Sequence, residues 1–92
     1  MKLELDITPG YETGMHEIVR MFYPGVSIVE SEGEIRVQVQ VREADGELHM
    51  EGRVQSGARV LGMASACVSG VQGNERKTVG VFLYQMLMQA TG

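Results

Sequence analysis

The 92-residue chain is poor in the residues that usually announce chemistry: one cysteine, two prolines, no tryptophan and only two phenylalanines and three tyrosines. A lone thiol, Cys67, excludes an internal disulfide and a cage of several thiolates from one chain. That usage fits a reducing, cytoplasmic compartment. Bases are also scarce, eight Lys and Arg against twelve Asp and Glu for a formal net charge of −4. Binding to a phosphate backbone is therefore not the expected business, and no nucleic-acid partner is expected. No apolar run approaches a membrane span, and Met1-Lys2 leads directly into an alternating segment without a signal peptide, so no membrane association is expected. What remains is the composition of a single globular domain, residues 1–92, with a core of modest size. Seven of the acids fall within residues 1–34, opposed there only by Lys2 and Arg20, which reads as a solvated acidic face.

Alternation is the clearest pattern present. Leu3, Leu5 and Ile7 alternate with Lys2, Glu4 and Asp6, the mark of a half-buried strand. Thr8-Pro9 then offers an N-cap with proline at the first helical position. Tyr11, Met15, Ile18, Val19 and Phe22 follow at helical spacing, and Gly10 and Gly14 weaken the first turns so that the helix starts late. Pro24-Gly25 ends it. Residues 26–30 form a short β run, and Ser31-Glu32-Gly33 a turn. In the strongest strand, Ile35, Val37, Val39 and Val41 face one way and Arg36, Gln38, Gln40 and Arg42 the other. Asp45-Gly46 signals a hairpin whose return strand places Leu48, Met50, Gly52 and Val54 on the same apolar face. Ser56-Gly57 turns into a last strand over 58–66, of small and mixed residues. The expected fold is α+β: a mostly antiparallel four- to five-stranded sheet with two helices packed on one face, in the order β-α-β-β-β-β-α. The other sheet face is polar and can stay wet.

The C-terminal segment from Asn74 reads as a helix with two apolar faces. Val79, Phe82, Leu83, Met86, Leu87 and Ala90 fall on one stripe, and Val81, Tyr84 and Met88 fall roughly opposite. Asn74 serves as N-cap and Thr91-Gly92 as exit. One sheet covers only one of those faces, so Val81, Tyr84 and Met88 form a candidate interface, either with another domain or between copies in a homo-oligomer.

Other constellations carry less. His16 and His49 sit among polar positions at no metal-ligand spacing and read as surface histidines; Cys67 reads as a buried or half-buried structural thiol. The seven methionines read as flexible core filler. No catalytic residue and no metal or cofactor site is expected. Residues 70–78 stand where a phosphate loop would, but Arg76 occupies the place that a P-loop reserves for glycine. Arg76 and Lys77, beside the free N–H groups of a first helical turn, remain candidates for a weak anion site, against the simpler reading of solvated charges paired with a nearby acid.

Glu75-Arg76-Lys77, then Leu83-Tyr84 and Leu87, closing on Thr91-Gly92, resembles the segment just ahead of the radical-SAM portion of the HemZ-like oxygen-independent coproporphyrinogen III oxidases, or coproporphyrinogen dehydrogenases. The specific match covers about a fifth of the chain; the rest is similar in outline only, with an opening strand, a helix ending in Phe-Tyr and a β meander. The resemblance implies an N-terminal accessory domain, a fragment of a longer chain whose catalytic barrel carries a [4Fe–4S] cluster and S-adenosylmethionine and oxidatively decarboxylates propionate side chains in porphyrin and haem biosynthesis. One cysteine cannot ligate such a cluster, so neither cofactor is expected in the 92 residues. The alternative is a free-standing protein-interaction module that dimerises through the C-terminal helix. A small RNA- or anion-binding domain using Arg36, Arg42, Arg53, Arg76 and Lys77 is disfavoured by net charge.

Overall fold

A computed structural model describes residues 1–91; the Gly92 exit expected for the last helix falls outside them. The elements are β1 (Lys2–Ile7), α1 (Met15–Phe22), β2 (Ser27–Val29), β3 (Ile35–Ala44), β4 (Glu47–Ser56), β5 (Arg59–Ser69) and α2 (Glu75–Thr91), the expected order. They form one five-stranded sheet, β2-β1-β3-β4-β5, with the helices on one face.

The sheet is mixed. β3, β4 and β5 form the antiparallel meander, but β1 pairs in parallel with both β2 and β3. The mostly antiparallel sheet expected from sequence holds for β3, β4 and β5 but not for β1, and the reason is connectivity. A strand that returns through a helix comes back parallel, whereas a tight turn reverses direction. The turn at 31–33 is likewise not a hairpin. Because β2 has only three residues, it ends opposite Glu4 and β3 begins opposite Leu3, so a short loop carries the chain across β1. Gly33 lies on that crossing, where an added Cβ would stand 2.7 Å from the Glu4 backbone nitrogen. The Gly33 N–H donates to Glu4 Oε1 at 2.8 Å, and Arg36 stands beside Glu4 and Asp6 at 3.8 and 3.6 Å.

Thr8 does not cap α1. Its N–H continues the ladder to the Val39 carbonyl, and its Oγ1 accepts the Val41 N–H at 2.8 Å. The helix starts late, as the glycines imply, with Gly14 at its N-cap in the left-handed region. Both residues of the Asp45-Gly46 turn have positive φ, 53° and 75°, the pattern of a type I′ hairpin.

The core lies between the sheet and the helices. Val37, Val39 and Val41 from β3, Leu48, Met50 and Val54 from β4, and Leu3 from β1 meet Met15 and Val19 of α1 and the inner stripe of α2. Gly52 sits at the centre of this layer because α2 comes closest there, leaving no room for a Cβ beside Phe82 and Met86. Of the methionines, Met15, Met50 and Met86 fill the core, whereas Met1, Met21, Met63 and Met88 are exposed.

Candidate functional site

Helix α2 divides as its periodicity requires. Val79, Phe82, Leu83, Met86 and Leu87 are buried, while Val81, Tyr84 and Met88 are 51%, 41% and 50% exposed. Asn74 stands at the N-cap position, its carbonyl accepting the Thr78 N–H, and the Glu75 carboxylate reaches back to accept the Gly73 N–H at 3.1 Å. Packing of α1 on α2 turns the outer face into a groove. Gly80 lets the helices approach, so that an added Cβ would stand 3.2 Å from Ile18 Cδ1, and the Tyr84 ring meets Phe22 edge-on at 5.1 Å. The groove, about 440 Å³ and mostly apolar, is lined by Met15, Ile18, Gly80, Val81 and Tyr84, with Arg76 and Lys77 among its lining residues.

The structure thus brings the two candidate sites together. Val81, Tyr84, Arg76 and Lys77 line one groove, and Met88 lies outside its lining on the same helix. Arg76 and Lys77 are exposed. The Glu12 carboxylate is held below its usual range mainly by its own backbone N–H and that of Gly10, with Arg76 a lesser contributor.

The opposite sheet face holds a second arrangement that sequence reading did not assemble. His49 on β4 pairs directly with Cys67 on β5, and Glu47 lies two residues along the same face. The Cys67 thiol donates to Glu47 Oε2 at 3.3 Å, and its sulfur lies 3.8 Å from His49 Nε2. The ligand-type atoms of all three lie within 4.8 Å of one another. Cys67 is exposed, not the buried or half-buried thiol that its sequence context implies. The cause is a register shift at Val54/Gln55 that leaves Leu61 as the extra residue on β5. A regular hairpin from the Ser56–Arg59 pair would set Ala66 opposite His49 and turn Cys67 into the core; the bulge rotates it onto the wet face. Hydrogen bonding to Glu47 pushes the Cys67 thiol up, with smaller contributions from desolvation and the Glu47 charge and an opposing one from Arg42. A raised thiol is a poor nucleophile, so the arrangement does not favour thiolate catalysis. His16 is exposed on α1 and takes no part.

No family model matches this chain, and no curated protein or solved structure matches it either. No helix among the described residues is long and apolar enough to cross a membrane.

Proposed function

We propose that this chain is a non-catalytic accessory domain that docks on a protein partner through the outer face of α2. The supporting observation is the division of α2: one apolar stripe is consumed by the sheet, and a second, with Val81, Tyr84 and Met88, stays on the surface beside an apolar groove. A helix that served only to cover its own sheet would place polar residues at those positions. Clustered exposed apolar side chains rimmed by charge are the usual surface of a protein interface.

The partner we propose, from the resemblance of the α2 sequence, is the radical-SAM barrel of an oxygen-independent coproporphyrinogen III oxidase in the cytoplasm. The [4Fe–4S] cluster and S-adenosylmethionine belong to that barrel. This chain contributes packing at the interface and shapes access to the substrate. Arg76 and Lys77, at the groove, pair with carboxylates of the partner.

Binding of the isolated chain to a separately produced barrel of that family tests the reading by calorimetry. Association that is lost in Val81→Glu, with the circular dichroism of the variant unchanged, is the expected result. If the wild-type chain instead doubles its mass in solution, and Val81→Glu restores the monomer, the face joins two copies and the barrel is not its partner.

A further inference from the structure

We propose that Glu47, His49 and Cys67 form an open zinc site, three protein ligands with a fourth position left to water. The site lies on the sheet face opposite α2, so its test succeeds or fails independently of the docking surface.

Geometry comes first. A tetrahedral zinc ion with bonds of about 2.0–2.3 Å holds its sulfur, nitrogen and oxygen donors roughly 3.4–3.6 Å apart. Here sulfur stands 3.3 Å from the Glu47 oxygen and 3.8 Å from the His49 nitrogen. Two of the three donor pairs therefore stand near ligand–ligand spacing and the third lies within 4.8 Å, so side-chain adjustment alone would close the set around an ion. Two donors come from one strand at i and i+2 and the third from the directly paired residue of its neighbour, at the end of the β4–β5 ladder where Glu47 and Ser69 form the terminal pair. Such a frame fixes direction as well as distance, which a loop of the same composition would not do.

The donor set points to the metal. One thiolate, one imidazole and one carboxylate are a borderline-soft mixture that suits zinc and disfavours calcium or magnesium, which take oxygen ligands. The two anionic donors balance a dication, and binding releases the thiol proton to solvent. Three protein ligands leave the tetrahedron one position short, which water would fill. His49 and Cys67 line a depression of about 640 Å³ together with Arg42, Gln40 and Ser65, and Glu47 lies outside its lining. Arg42 pairs across the ladder with His49 and lines the same depression.

Titrating the reduced 92-residue chain with Co²⁺ and then Zn²⁺ tests the assignment. The expected result is one ion per chain, a thiolate-to-cobalt charge-transfer band, and displacement of cobalt by zinc. Cys67→Ser should abolish the band, and Cys67→Ser and His49→Ala should each weaken zinc binding on the order of tenfold or more, whereas His16→Ala should leave it unchanged. Glu47→Gln, nearly isosteric, should weaken binding without altering the circular dichroism. Absence of the charge-transfer band in the wild-type chain, or zinc affinity unchanged in Cys67→Ser and His49→Ala, would overturn the proposal.

Discussion

Gly52 lies where β4 passes beneath α2, and replacing it with alanine sets two effects against each other. Alanine restricts the unfolded chain and is favoured over glycine inside a strand by about 0.5–1 kcal/mol. Against that, its Cβ would stand 2.0 Å from Met86 Sδ and 2.9 Å from Phe82 Cε2, where an ordinary contact needs about 3.5–4.0 Å. Met86 is fully buried, so its thioether must be displaced within a close-packed core, and the Phe82 ring is crowded at the same time. Overpacking of this kind costs about 1–3 kcal/mol. The packing penalty wins, and Gly52→Ala should destabilise the domain by about 1–2 kcal/mol, lowering the melting temperature by roughly 5–15 °C for a domain of this size. Met86→Ala alone should cost about 2–5 kcal/mol by leaving a cavity. Added to Gly52→Ala it should cost less, because the new methyl occupies part of that cavity, giving a favourable coupling of about 1 kcal/mol. Urea unfolding of the four proteins measures the whole cycle. A Gly52→Ala variant as stable as wild type, or strictly additive effects, would show that α2 does not press on the sheet at this point.

Three further outcomes follow from the same contacts. Leu83→Ala should cost about 2–5 kcal/mol as a core truncation, whereas Val81→Ser in the isolated chain should cost under about 1 kcal/mol; denaturant unfolding of both decides whether α2 really has a solvent-facing side. Gly46→Val should destabilise by on the order of 1 kcal/mol or more, because a β-branched residue is placed where φ is positive; an unchanged melting temperature would contradict the type I′ turn. Tyr11 donates a hydrogen bond to Glu43, which with burial and the Glu43 charge pushes the phenol up to about 12. The stability contributed by that bond is therefore present up to the ordinary tyrosine pKa of about 10 and is lost as pH rises through about 12. Alkaline titration of phenolate absorbance should show a late component that Tyr11→Phe removes; amplitude lost instead near the ordinary tyrosine pKa of about 10 would refute the bond.

The parts of the fold that a local period determines were readable in the residues. β3 and β4 alternate without a break, Asp45-Gly46 demands a hairpin, and the two stripes of α2 emerge with the burial that their spacing requires. What could not be read was long-range. Nothing in Lys2–Ile7 itself says that it lies between β2 and β3; the helix in the β1-α1-β2 connection carries the signal for a parallel pair, and the Ser31-Glu32-Gly33 turn masked it. Thr8 has the composition of a helix cap, but a ladder position beside Val41 gives its hydroxyl a better partner. The cluster of Glu47, His49 and Cys67 was hidden for a narrower reason. A single bulged residue at Leu61 decides which face every later residue of β5 takes, and no composition rule locates such a bulge. The small inward residues Gly62, Ala64 and Ala66, alternating with Met63, Ser65 and Cys67, were the only trace of it.

Methionine oxidation footprinting of the chain, alone and bound to a radical-SAM barrel, tests the docking surface most directly. Met88 on α2 and Met63 on the opposite sheet face are exposed to similar degrees, 50% and 58%, so each is an internal control for the other. Docking through α2 predicts that Met88 becomes protected on complex formation while Met63 oxidises at its original rate. Protection of Met63 with Met88 unchanged would contradict the account.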